Sequence, residues 1–275
     1  MDYETIRYDK EEGFCIVTLN RPQNLNALNV RMWQELEDAV DRLNADDEVR
    51  AVIFTGAPRP DGRPCFCAGA DLKEVAGFQA DGSMAEAFKW TPVSGFWAQK
   101  QPSLPNTPAF AKITWSPKIS IAAIDGICTA GGIELALSCD IILAAETARI
   151  SDMHVKNLGW IGGAAAPTNL AWRIGVSKAL EMCLTGDVID GREAHRIGLA
   201  NQVFPPDGLL EGAREMARKI GSRRLAAVTM TKATCMAVQE MDRISSWRYC
   251  DAAFAALMNE PDEGEWGAAR WVARR

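Results

Sequence analysis

Two short stretches hold the residues that could do chemistry: Phe66-Cys67-Ala68-Gly69-Ala70-Asp71-Leu72 and Cys128-Thr129-Ala130-Gly131-Gly132-Ile133-Glu134. Each follows an apolar run that reads as a strand and opens a segment that reads as a helix. A helix start leaves backbone N–H groups unpaired, and small residues let a ligand approach them closely. Two such donors aimed at one oxygen make an oxyanion hole, which stabilises negative charge as it develops. The second stretch also places a carboxylate, Glu134, one helical turn past its glycines. That combination suggests proton transfer beside a polarised carbonyl. Each feature also has a structural reading. Glycines at a helix start serve close packing, and an acidic residue in a first turn stabilises the helix dipole. On the residues alone, both readings stand.

Other chemistries find little support. Gly126 to Gly131 has the spacing GxxxxG, but Gly132 stands where a phosphate-loop lysine would be. Neither GxGxxG nor GxSxG occurs, which argues against a dinucleotide fingerprint and a serine-hydrolase elbow. The chain has two histidines, His154 and His195, and neither begins an HxxxH or HExxH pattern, so no metal site is expected. Eight cysteines are scattered without a CxxC, several within apolar runs. Buried free thiols in a reducing cytoplasm account for them. The net charge of -6 gives no hint of nucleic-acid binding. The charged start (Asp2, Glu4, Arg7, Asp9, Lys10, Glu11, Glu12) is unlike a signal peptide, and no apolar run is long enough to span a bilayer.

The elements around these turns are readable in outline, and 275 residues suffice for a sizeable core. Residues 14–19 read as a buried strand, and Asn20-Arg21-Pro22 to Leu28 as a loop. Asn29 can cap a helix through about Asn44, with Trp33, Leu36, Val40 and Leu43 on one face. Ala51 to Thr55 is a second strand, and a short helix is expected from about Ala70. Residues 77–118 are rich in aromatics and carry a proline cluster; Ile119–Ile124 and Asp140–Ala145 are further strands. Beyond residue 162 the pattern is mainly helical, with breaks near Gly186, Gly198, Pro205-Pro206 and Gly221. Strands alternating with helices indicate an α/β domain, and the helical tail a cap or an oligomerisation element.

Over nearly its whole length the chain resembles the crotonase family, the enoyl-CoA hydratase/isomerase group. The matching stretches are Asn20-Arg21-Pro22 with Asn26-Ala27-Leu28, the turn from Phe66 to Leu72, and Ala122 to Asp140 through Gly131-Gly132-Ile133-Glu134. Leu184-Thr185-Gly186 and Ala194 to Leu199 look like the family's downstream signature. Each is weak alone; their order and spacing together are specific. The resemblance implies a spiral of repeated β-β-α units over residues 1–204, holding the CoA and acyl site. It implies a helical region over 205–275 for capping and assembly as a homotrimer or homohexamer. It implies that the N–H groups of Ala70 and Gly131 bind a thioester oxygen and that Ala68, Asp71 and Leu72 lie along the CoA. Glu134 becomes one of two carboxylates that hold and activate water. CoA is part of the substrate, and no cofactor is implied.

The resemblance breaks at one position. The family's second glutamate falls on His154 here, so an imidazole replaces a carboxylate. With an unperturbed pKa near ~6.5 and two distinct ring nitrogens, it could act as acid or base; packing alone is the other reading. Asp152, two residues away, is a candidate substitute for the missing carboxylate. Gln23 and Asn24 stand where the family often has a basic residue near the CoA phosphates, which leaves Arg21 and Lys73 as candidates. Segment 77–118 lies where the family builds its acyl pocket, and its aromatics suit either a roomy pocket or a self-packed lid. His195 reads as structural. The expected function is hydration of a 2-enoyl-CoA by Glu134 and His154. The alternatives are a double-bond isomerase, a C–C bond hydrolase using His154, and a non-catalytic acyl-CoA binding protein.

Overall fold

The structure, a computed structural model, describes residues 2–81, 107–259 and positions 266, 267 and 272. The chain starts with strands β1 (Ile6–Glu11) and β2 (Phe14–Leu19), paired antiparallel. Helix α1 (Val30–Asn44) follows; Asn29 caps it, its side chain accepting from Met32 N–H at 3.0 Å. Its buried face carries Trp33, Leu36, Val40 and Leu43, as the periodicity predicts.

Three units then repeat one plan. Long strands β3 (Ala51–Gly56), β5 (Ile119–Ile124) and β7 (Ile141–Ala145) enter a large sheet of order β1-β2-β3-β5-β7-β9. Each is followed by a short strand, β4 (Cys65–Cys67), β6 (Ile127–Thr129) or β8 (Arg149–Ser151), and these form a second sheet, parallel throughout. Helical structure follows each short strand: α2 (Leu72–Ala80), α4 (Gly131–Ser138) and a π-helical turn (His154–Leu158). Helix α3 (Thr107–Thr114) precedes β5. The chain continues through α5 (Ala166–Ile174), α6 (Val176–Thr185), α7 (Gly191–Arg196) and β9 (Gln202–Phe204). It then forms α8 (Leu209–Gly221), α9 (Leu225–Ala237) and α10 (Arg243–Asn259). This is the expected spiral of β-β-α units with a helical C-terminal region.

Strand alternation explains the layering, because successive side chains leave opposite faces of a sheet. Cys15, Val17, Val52, Phe54, Ala122, Ile124, Ile142 and Ala144 enter a core shared with α1 and α4. Their neighbours Phe14, Ile16, Ala51, Ile53, Ile121, Ala123, Leu143 and Ala145 enter a second core, closed by Leu209, Ala213 and Ala217 of α8. The central strands β2, β3, β5 and β7 are thus buried on both faces. Strand β1 escapes a reading of the sequence because it is an edge strand with Ile6 alone fully buried among charged residues. The short helix after the first glycine turn starts at Leu72 rather than Ala70, because Ala70 bridges in parallel to Leu28. Six cysteines are buried free thiols, whereas Cys235 and Cys250 are exposed.

In the tail, Lys232 of α9 is buried. Its ammonium donates to Asp140 Oδ2 at 2.9 Å and to Lys118 O at 3.2 Å, tying the tail to the entry of β7.

Helix α4 is buried along its whole length, and it rests on β4. A Cβ on Gly132 would lie 2.3 Å from Cys67 O, a backbone atom that cannot yield cheaply. Gly132→Ala is expected to lower stability by about 1–3 kcal/mol, read as a lower Tm in thermal unfolding. An unchanged Tm would show that the two elements do not touch as described.

Candidate active site

The loop after β2 holds the first glycine turn in place. Asn26, fully buried in a left-handed conformation (φ 52), donates its side-chain amide to Ala57 O at 2.8 Å and Cys65 O at 2.9 Å. Its Oδ1 accepts from Arg21 N–H at 3.0 Å. The Arg21 guanidinium donates to Ala27 O at 2.6 Å and to Asp71 Oδ2 at 3.0 Å. Asp71 also caps α2, its Oδ1 accepting from Lys73 N–H at 3.1 Å. The side chains of Arg21 and Asp71 are therefore engaged with each other, and Arg21 is spent on the loop rather than free for a phosphate. Lys73 is exposed at the start of α2.

Leu28 then pairs with the turn itself. Leu28 N–H donates to Gly69 O at 2.8 Å, Asp71 N–H to Leu28 O at 2.9 Å, and Ala68 N–H to Leu25 O at 3.0 Å. Ala70 N–H lies between these and has no acceptor among the described residues. Gly69 takes φ +103, open to glycine and costly for other residues.

The second turn meets the first. Ala130 holds φ 50, ψ -121, a strained backbone for alanine that costs on the order of 1–3 kcal/mol. Gly131, the first residue of α4, keeps an N–H that no described residue accepts, at the positive end of the helix dipole. A Cβ on Gly131 would lie 3.2 Å from both Ala70 N and Gly69 Cα, and one on Gly69 would lie 3.0 Å from Gly131 N. The two free amides thus sit side by side, in a contact only glycine permits.

Glu134, one turn into α4, is buried, and His154 comes to it from the π-helical turn beyond β8. His154 Nε2 lies 3.3 Å from Glu134 Oε1, in ion-pair range without a hydrogen-bonding line, and Oε1 accepts no hydrogen bond among the described residues. Gly163 stands beside the same carboxylate: a Cβ built on it would lie 3.5 Å from Oε1. On the other side of the ring, His154 Nδ1 lies 2.7 Å from Asp152 Oδ1, which also accepts from His154 N–H at 3.0 Å. Asp152 is 1% exposed. So Asp152 grips the imidazole rather than standing in for a missing carboxylate.

The charges follow from this packing. Burial raises Glu134 above the ordinary carboxylate range, with His154 and Gly163 pulling the other way. Burial alone would lower His154, but the hydrogen bond to Asp152 and the two carboxylate charges outweigh it and raise it. Burial alone would raise Asp152, but its bonds from His154 hold it below its usual range.

The structure therefore unites Glu134 and His154, and sets the amides of Ala70 and Gly131 together at the start of the same helix. Ala68 is half-buried and Leu72 is 52% exposed on the rim. His195 stands apart in α7, its Nδ1 bonding Ala200 O at 3.1 Å. Of the aromatic segment, Phe110 is core, edge-on to Trp33 at 4.5 Å, which fits the packing alternative there. The pocket alternative for segment 77–118 falls largely on residues 82–106, which lie outside the described residues. The Gly162-Gly163 contact with the carboxylates was not read from the sequence, although its glycines were visible.

A spiral that sets two free amides beside a buried carboxylate has the crotonase architecture. Residues 9–275 match the family described as enoyl-CoA hydratase/isomerase. A probable enoyl-CoA hydratase of Rhizobium meliloti is 35% identical, covering 100% of this chain and 97% of that protein. A short-chain-enoyl-CoA hydratase of Clostridium acetobutylicum is 32% identical over 96% of this chain and 93% of its own. A crystal structure of enoyl-CoA hydratase from Bacillus anthracis superposes with a TM-score of 0.84 at 30% identity, covering 99% of this chain and 97% of that one. The chain belongs to the enoyl-CoA hydratase/isomerase family.

A methyl group on Gly162 would lie 3.2 Å from both Asp152 Oδ2 and His154 Nδ1. Gly162→Ala is expected to push the imidazole off its place, so that a crystal structure of the variant shows Nε2 farther than 3.3 Å from Glu134 Oε1. An unmoved ring would mean that the loop yields instead.

Proposed function

We propose that this protein hydrates a 2-enoyl-CoA through an enolate held by the amides of Ala70 and Gly131. The observation that carries the reading is the buried pair of His154 and Glu134 at 3.3 Å, Glu134 lying on the helix that begins with one of those amides. The thioester oxygen accepts from both N–H groups, which lowers the cost of negative charge on it. Glu134 takes a proton from water as the water oxygen bonds to the β-carbon. The C=C π electrons move to the α-carbon and thioester, and the imidazolium of His154 returns a proton from Nε2 to the α-carbon. Water has then been added across the double bond, leaving Glu134 and His154 both neutral; transfer of the Glu134 proton to Nε2 of His154, 3.3 Å away, restores the starting charges. Dehydration is the reverse. These steps need no cofactor besides the CoA of the substrate.

The same reading places CoA along Ala68, Asp71 and Leu72. Asp71 contributes its backbone, because its side chain caps α2 and pairs with Arg21. Leu72 offers an exposed apolar surface and Lys73 an exposed cation. Residues 1–204 carry the site, and the tail from 205 serves capping and assembly as a homotrimer or homohexamer. Two exposed apolar surfaces support assembly: Val176, Leu180 and Leu184 along α6, and Ile244, Trp247, Phe254 and Met258 on α10. No helix among the described residues is long and apolar enough to cross a membrane. The free thiols support a reducing, cytoplasmic setting.

Incubation with a short 2-enoyl-CoA is expected to give a product heavier by one water; an unchanged mass with a moved double bond would mean an isomerase instead. Glu134→Gln is expected to lower kcat by about 10²–10⁴-fold, and unchanged turnover would refute its role. In the hydration direction Glu134 must be ionised and His154 protonated. Both groups are raised, so kcat/KM should fall on the acid side above the ordinary carboxylate range. On the alkaline side it should fall only above the ordinary imidazole range. His154→Gln should remove the alkaline limb; a limb that survives this change belongs to another group.

A further inference from the structure

Three adjacent strand ends frame the site, and the third contains a residue that the steps above do not use. Strands β6 and β8 pair up to their last residues, Thr129 against Ser151, and Ser151 Oγ donates to Thr129 Oγ1 at 3.0 Å. The chain leaves β6 into Ala130-Gly131 and leaves β8 into Asp152. Asp152 is therefore as firmly placed as the Gly131 amide. It is nearly inaccessible, and its Oδ1 takes both the Nδ1 and the backbone N–H of one residue, at 2.7 and 3.0 Å.

We propose that Asp152 is a positioning residue for the reaction: it fixes the ring of His154 and the nitrogen that carries the working proton. A neutral imidazole has one N–H. A buried carboxylate on Nδ1 keeps that proton on Nδ1, so Nε2 is a bare acceptor when the ring is neutral and a donor when it is charged. Nε2 is also the nitrogen that faces Glu134. Only the proton that exchanges with the substrate then leaves the ring. The backbone bond to the same oxygen removes the remaining freedom by fixing the peptide from which the side chain grows.

The surroundings of the pair are limited. Glu134 faces the ring from α4. Cys183 of α6 stands beside Asp152, its thiol raised to about 11, with burial the main cause, so it stays S–H and adds no charge. Lys156, in the same turn as His154, runs its side chain over Gly186 toward Asp187, 3.9 Å from its carboxylate. Gly162 closes over Asp152 Oδ2, where a Cβ would come within 3.2 Å. Oδ2 itself accepts no hydrogen bond among the described residues, so the hold rests on Oδ1. The inference depends on the hydratase reading only in its kinetic consequence, since the grip on the ring is independent of the substrate.

With two histidines in the chain, ¹⁵N-histidine labelling yields two imidazoles, and His154→Gln assigns them. In the unsubstituted protein His154 is expected to titrate above the ordinary imidazole range and to keep a proton on Nδ1 on both sides of the transition. Asp152→Asn is expected to weaken proton binding at His154 by about 10-fold or more and to admit the other tautomer. It should lower kcat on a 2-enoyl-CoA by about 10–100-fold with KM little changed. An Nε2–H tautomer in the unsubstituted protein overturns the proposal whether or not the variant folds, as does an unshifted titration in a folded variant. If the ring behaves as described and no enoyl-CoA is hydrated, the positioning role stands and the hydratase reading falls.

Discussion

The pairing of three short parallel strands fixes the geometry on which the site depends. In a parallel sheet every strand leaves by the same edge, so whatever follows β4, β6 and β8 gathers at one place. After β4 comes the Ala68-Gly69-Ala70 turn, after β6 the Ala130-Gly131 turn and α4, and after β8 the Asp152–His154 turn. Residues far apart in the chain meet because their strands are neighbours. The larger sheet, its central strands buried on both faces, holds the short strands in order, since each follows one of its members in the chain. The loop of Arg21 and Asn26 then bolts the first turn from outside.

That arrangement is costly in ways that point to function. Burying two carboxylates and an imidazole together leaves an excess negative charge when the ring is protonated, and buried ion pairs seldom stabilise a fold over apolar packing. Glu134 and Asp152 each leave one buried oxygen without a hydrogen bond among the described residues. Ala130 adds backbone strain immediately before the Gly131 amide. Strain and unsatisfied polar atoms are elsewhere kept out of protein interiors. Among the described residues two of the four such atoms belong to Glu134 and Asp152, the other two being on Tyr8 and Arg50. The strained Ala130 lies beside Glu134's helix, which supports the proposed site.

Much of this was legible in the residues, and the limits have physical causes. The strands buried on both faces announced themselves as unbroken apolar runs, and α1 by its period and its Asn29 cap. Glu134 and His154 were visible as candidates, the histidine because it occupies a position where the resembled family has glutamate. Strand β1 was hidden because a charged edge strand carries no apolar run. The partner of Arg21 was hidden because Asp71 lies fifty positions away, a contact set by folding and not by local pattern. Asp152 showed its proximity to His154 but not its direction: the turn after β8 aims its oxygen at the ring instead of into the space a second glutamate would occupy. The glycines of 162–163 were evident as a loop, but what they touch depends on α4.

The place where a thioester oxygen binds decides the proposed mechanism. The most direct measurement is a crystal structure with an unreactive 2-enoyl-CoA analogue. The oxygen should lie about 3 Å from both the Ala70 and Gly131 nitrogens, with the β-carbon on the Glu134 side and the α-carbon nearest His154 Nε2. An oxygen beyond hydrogen-bond reach of either nitrogen would contradict it, however well the rest of the coenzyme fitted.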